Sequence, residues 1–144
     1  MVRTVFIFIF LLFAGLSFSQ EKVTWSYSYD GVNEELVLEA KIADGWHLYS
    51  QVINEGIGPV PTSFEFKENP MIKVIGKTIE PESIHEYDDN FEGELNFFKD
   101  SVSFKQKMKV SKSTSVKGVI TYMTCNDSMC LPPKDVEFII AINK

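Results

Sequence analysis

Residues 101–110 read S-V-S-F-K-Q-K-M-K-V, and this stretch decides the fold class. Val102, Phe104, Gln106, Met108 and Val110 alternate with Ser103, Lys105, Lys107 and Lys109. A repeat of two puts every second side chain on one face, which is the period of a half-buried strand and not of an amphipathic helix. Leu36, Leu38, Ala40 and Ile42 repeat the pattern around Val37, Glu39 and Lys41. Working outward, extended stretches are expected at Val23 to Tyr29, Ser63 to Lys67, Ile72 to Lys77, Val116 to Thr124 and Val136 to Ile142. Each is bounded by Gly, Pro, Asn or Asp, the residues of turns. No stretch carries the period of a three-turn helix. Many short strands with polar turns predict an all-β, immunoglobulin-like antiparallel β-sandwich, with an open barrel as the alternative. The longest irregular stretch, Gln51 to Thr62, carries Gly56, Gly58, Pro59 and Pro61 and reads either as a functional loop or as a crossover between sheets.

Composition narrows the class of function. The chain has 144 residues, enough for one domain with a core, and 44% hydrophobic with 13% aromatic residues is too apolar for a disordered chain. Lys plus Arg number 14 against 20 Asp plus Glu, so the net charge of -6 lacks the basic footprint of a nucleic-acid binder. Arg3 precedes an apolar run from Val5 to Leu16, followed by Ser17 and Ser19 at the small-residue positions of a cleavage site. That run is shorter than the roughly 20 residues needed to span a bilayer. Residues 1–19 are therefore expected to be a secretory signal peptide and residues 20–144 a single domain, not membrane-spanning after cleavage. Export places it where disulfides form and persist.

The chemistry concentrates in residues 122–133, Y-M-T-C-N-D-S-M-C-L-P-P, which hold both cysteines, Cys125 and Cys130. Bonded to each other they would close a six-residue ring, a loop that contributes roughly 2 kcal/mol by the chain-entropy estimate. Pro132 and Pro133 cannot donate ladder hydrogen bonds, so the cysteines are expected at a turn between strands. A bridge there is accessible, and accessible bridges belong to the labile, exchanging class. Three readings stand side by side at this point: a redox-active disulfide, a structural staple in a binding or adhesive module, and a copper(I) site. The last rests on Met123, Cys125, Met129 and Cys130, four soft sulfur ligands within eight residues. Core packing is the plain reading of the two methionines. Zinc fits poorly, because His47 and His85 lie far from the cysteines in sequence.

The run from Glu86 to Pro133 resembles the N-terminal periplasmic, or alpha, domain of the DsbD-type thiol:disulfide interchange proteins. The carriers are the cysteine pair followed by Leu131, Pro132 and Pro133, the D-N-F-E-G segment at Asp89 to Gly93, and G-W-H-L-Y-S at Gly45 to Ser50. The resemblance implies an immunoglobulin-like fold, no cofactor, and a periplasmic thiol-disulfide oxidoreductase that relays electrons. Its implied partners are thioredoxin-like redox proteins and a separate membrane electron-transfer protein. In complete family proteins the electrons reach periplasmic disulfide isomerases or proteins of cytochrome c maturation. The resemblance also implies that Cys130 forms the mixed disulfide, that Cys125 resolves it, and that Phe91 caps the pair. Asp89, Asn90, Tyr49 and His47 would surround it. The family often has two acids before the cap aromatic, whereas Asn90 follows Asp89 here, so Asp88 would serve if the register slips by one. His47 stands where the family often has tyrosine.

Overall fold

The computed structural model describes residues 21–53, 56 and 58–144. Residues 1–20, where the signal peptide is expected, lie outside the described residues. Among the described residues eleven strands follow in order: β1 (Val23–Asp30), β2 (Glu35–Ile42), β3 (His47–Tyr49), β4 (Ser63–Phe66), β5 (Ile72–Ile79), β6 (Ile84–Asp88), β7 (Gly93–Phe98), β8 (Ser101–Val110), β9 (Thr114–Tyr122), β10 (Thr124–Cys125) and β11 (Lys134–Ile142). All pairings are antiparallel, in ladders ordered β1-β2-β8-β5, β10-β3-β7-β6 and β11-β9-β4. The all-β sandwich expected from the alternation is what forms.

The alternation explains where the core sits. On β8 every even position from Val102 to Val110 is buried and every odd one exposed. Opposite them on β2, Leu36, Leu38 and Ala40 are fully buried, paired in register with Gln106, Phe104 and Val102. This face packs on Val116, Ile120 and Tyr122 of β9 and on Phe138 and Ile142 of β11. Phe104 lies at the centre, with its ring 4.9 Å from Phe64, 5.8 Å from Phe98 and 5.9 Å from Trp25. On β9, between β4 and β11, Gly118 leaves no room for a side chain: a Cβ there would lie 2.5 Å from the Glu65 carbonyl and 2.7 Å from the Phe138 ring.

Gln106 is the one polar residue in the β8 series. Its amide donates to the Ile75 carbonyl at 2.9 Å and accepts from the Thr78 hydroxyl at 2.8 Å. These bonds bracket a bulge between Ile75 and Ile79 in the pairing of β5 with β8, where Gly76 takes a φ of 68°. Gln106 is buried, as its place in the period predicts, and it is at the same time the polar clamp of an irregular edge strand.

The β10-β3-β7-β6 ladder forms the other end of the molecule. Leu48 and Phe98, paired across β3 and β7, join the main core. Tyr49, Leu95, Phe97 and Cys125 form a second buried cluster, with Ile53, Ile84, Phe91, Met123 and Cys130 packed against it. That cluster holds the disulfide.

Candidate functional site

The site is assembled on β3. Cys125 of β10 pairs with His47, and Thr124 with Leu48. Residues directly opposite in an antiparallel pair project to the same face, so Cys125, His47 and, two residues on, Tyr49 share one side of the ladder. The Thr124 hydroxyl locks the strand pair by donating to the His47 carbonyl at 2.6 Å, and the Thr62 hydroxyl donates to the Tyr49 carbonyl at 2.5 Å. These side-chain bonds to backbone add to the few ladder bonds that a three-residue strand can make.

After Cys125 the chain turns back. The Asn126 side chain accepts from the N–H groups of Ser128 and Met129 at 2.9 and 2.8 Å, an Asx turn that reverses the backbone within residues 126–129. The Asn126 N–H donates to the Met129 carbonyl and the Leu131 N–H to the Thr124 carbonyl. Cys130 thereby returns opposite Cys125, and the two form a disulfide. The two sulfur-bearing residues differ in access: Cys125 is 0% exposed, whereas Cys130 is half-buried. In thiol-disulfide exchange the accessible sulfur is the one attacked, and the other leaves as thiolate.

Phe91 stands in the connection between β6 and β7, over the second cluster. Its ring meets Tyr49 edge-on at 5.8 Å. On its other side lies Gly58, where a Cβ would fall 2.5 Å from the Phe91 ring, so only glycine lets the Gln51–Thr62 loop lie this close. The Asn90 side chain donates to the Asn126 carbonyl at 2.9 Å, tying this connection to the turn between the cysteines.

The acid that faces inward is Asp88. Asp89 is exposed, while Asp88, one position earlier at the end of β6, is buried. Its Oδ2 accepts from the Tyr49 hydroxyl at 2.6 Å and is 3.2 Å from His47 Nε2, and its Oδ1 accepts from the N–H groups of Asn90 and Phe91 at 2.8 and 3.3 Å. Burial holds the His47 pKa below its ordinary 6.5, with the Asp88 charge pulling in the opposite sense. Neutral His47 meets a carboxylate at Nε2, so that nitrogen carries the proton. Burial, and then the bond to Asp88, push the Tyr49 hydroxyl well above its ordinary value, so it stays a donor. A small cavity of about 70 Å³ beside His47 is lined by Asp88, Asp89, Asn90, Lys99 and Asp127 among others.

The structure thus brings together Cys125, Cys130, Phe91, Asn90, Tyr49 and His47, and sets Asp89 at the rim. Of the four copper ligand candidates, Met123 packs against the second cluster with the cysteines, and Met129 is 49% exposed in the turn. Both cysteines are bonded to each other, and among the described residues no group of three or more His, Cys, Asp and Glu is arranged to hold a metal ion. Sequence reasoning passed over Leu95 and Phe97, and took Gly58 only as one glycine of a long loop. Gly58 had a signal, a glycine in a long proline-bearing loop, but its partner is 33 residues away.

The chain matches the family described as thiol:disulfide interchange protein DsbD, N-terminal, over residues 17–141. No significant match is found among the curated proteins. Among solved structures, the N-terminal domain of Neisseria meningitidis DsbD in the reduced form shares 18% identity at a TM-score of 0.63, over 85% of this chain and 87% of that one. The complex between the N. meningitidis DsbD and PilB N-terminal domains holds a chain with 16% identity and a TM-score of 0.60, over 81% of this chain and 80% of that one. The N-terminal periplasmic domain of ScsB from Proteus mirabilis gives 19% identity and a TM-score of 0.57, over 82% of this chain but 44% of that one. These likenesses concern the fold, and the family match adds the chemistry: the chain belongs to the DsbD N-terminal family of thiol:disulfide interchange proteins.

Proposed function

We propose that this chain is an exported relay of reducing equivalents, in which residues 1–19 direct export to the periplasm and residues 20–144 exchange the Cys125–Cys130 disulfide with thioredoxin-like proteins. A separate membrane electron-transfer protein would supply the electrons. The observation that carries this reading is the unequal exposure of the two bonded cysteines, Cys125 buried in a strand ladder and Cys130 half-buried on the returning limb of a tight turn. Among the described residues no helix is long and apolar enough to cross a membrane.

The exchange balances as two thiol-disulfide substitutions. A donor thiolate attacks Cys130 Sγ, the S–S bond to Cys125 breaks, and Cys125 leaves as the thiolate. The donor's second thiolate then attacks the mixed disulfide, releasing the donor oxidised by two electrons and the Cys125–Cys130 pair reduced. Toward an acceptor disulfide the steps reverse: Cys130 attacks, and Cys125 resolves the mixed disulfide.

Trapping tests the assignment. With Cys125→Ser, the remaining Cys130 is expected to accumulate a stable mixed disulfide with a thioredoxin whose resolving cysteine has been removed. Cys125 in the Cys130→Ser protein is expected to trap it poorly. Equal trapping by both variants would remove the assignment of roles, and trapping by neither would remove the exchange reading.

A further inference from the structure

We infer that Asp88 is the latch of the cap: a positioning residue whose single carboxylate fastens the Phe91 loop to β3, the strand against which the buried cysteine is paired. The inference rests on the exchange reading and concerns what controls entry to that same site.

Four donors converge on this carboxylate from two different parts of the molecule. On one side are the cap's own backbone N–H groups, at Asn90 and Phe91. On the other are the Tyr49 hydroxyl and His47 Nε2, both from β3. A carboxylate has about four acceptor sites, so this one is fully used, and bonds to an ionised acceptor are the stronger kind. Asp88 itself cannot drift, because it is paired across the ladder with Gly93 and the cap is the short reversal 89–92 between them. Glu92 completes that reversal in the left-handed region, with φ 52°.

The consequence is mechanical. The N–H of Phe91 belongs to the residue whose ring covers the cluster, so while that N–H stays on Oδ1 the backbone of the cap is held closed. The ring can then leave only by side-chain rotation, which Gly58 restricts by letting the ring seat against it. Lifting the cap loop therefore means breaking the bonds to Asp88, and with them the Asn90 bond to the Asn126 carbonyl. A docking protein can offer replacement contacts over a broad surface, whereas a small thiol cannot. Gly58 completes the closed position from outside, because only its missing side chain leaves space for the Phe91 ring. The latch holds the backbone of the cap and the glycine seats its ring.

The test compares reduction of the disulfide by glutathione with reduction by thioredoxin, alongside backbone amide exchange at Asn90 and Phe91. Asp88→Ala is expected to speed glutathione reduction by roughly tenfold or more, the effect of losing charge-assisted bonds, and to shift the glutathione-to-thioredoxin rate ratio the same way. Asp88→Asn keeps an oxygen for the cap amides and should fall between the two. Gly58→Ala should also speed glutathione reduction while the Asn90 and Phe91 amides stay protected, since it evicts the ring and spares the latch. Glutathione reduction of folded Asp88→Ala at the native rate would overturn the latch while leaving Cys130 trapping untouched. Should Asp88→Ala fail to fold, unprotected amides at 90 and 91 in the unmodified protein, or native-rate reduction of Asp88→Asn together with Gly58→Ala, would overturn it. Failure of Cys130 to trap thioredoxin strikes the exchange reading alone.

Discussion

The main core and the disulfide end are both buried, but they are held by different forces. Around Phe104 the buried residues are almost all apolar: Leu36, Leu38, Leu48, Val116 and Ile120 are among those packed there. Around Cys125, apolar Tyr49, Leu95 and Phe97 share the interior with buried His47, Ser50, Thr62, Asp88 and Thr124. Burial of apolar surface is non-directional and roughly proportional to area, so it stabilises the sandwich without fixing any atom closely. Hydrogen bonds inside a low-dielectric interior are directional and costly to leave unmade, so they fix positions. One region supplies stability and the other geometry.

The comparison can be broken most directly with the same substitution in both regions. Phe104→Ala removes a fully buried ring and is expected to cost roughly 3 to 5 kcal/mol, read as a lower urea midpoint. Its disulfide should still be reduced by thioredoxin at the native rate wherever the protein remains folded. A loss below about 1 kcal/mol would mean that the main core does not carry the fold.

The next effect concerns protons. Because burial depresses the folded pKa of His47, the unfolded chain takes up a proton below about pH 6.5 that the folded chain refuses. The sign is therefore a loss of stability on acidification. The contribution is intact above pH 6.5 and declines as pH falls from there toward the depressed folded value, by at most about 1.4 kcal/mol per unit. His47→Gln should flatten this part of the profile, as measured by urea unfolding between pH 8 and pH 5. Parallel profiles for the two proteins would contradict it.

Phe91→Ala should have the smallest effect on stability, about 1 kcal/mol for a half-buried ring, with the fold retained. Its disulfide should be reduced faster by glutathione than in the unmodified protein. If instead it destabilises as much as Phe104→Ala, Phe91 is a core residue and the division between the two regions fails.

That division also marks what could be read from the chain. Strands β2 and β8 are legible within a residue, because half-buried strands print their two faces into the sequence. The β9 expectation ran on to Thr124, whereas the ladder breaks after Tyr122 and Thr124–Cys125 form the separate β10 against β3. Strands β6 and β7 were not read as strands. The first, I-H-E-Y-D, has exposed His85, Glu86 and Tyr87 in succession, and the second ends with Phe97 and Phe98 both buried, so neither alternates. The cysteines were legible from their spacing in an exported chain, whereas Phe91, Tyr49 and His47 were legible because the family resemblance named them. Asp88 was visible only as a shift of register, and Gly58 only as a loop glycine. Both acquire their roles from contacts made by folding, which composition and period do not encode.

The clamp at Gln106 has a consequence for how the protein meets copies of itself. β5 is the last strand of its ladder, and Val74, Ile75 and Ile79 are exposed along it. A straight strand of this kind is a template on which another chain can add its own. The bulge that Gln106 holds open between Ile75 and Ile79, with Gly76 turned to positive φ and Lys73 and Lys77 alongside, interrupts the run of outward N–H and C=O groups. A buried amide in the middle of an otherwise apolar face thus bends an apolar edge of the molecule, and a bent edge is a poorer template for strand addition than a flat one.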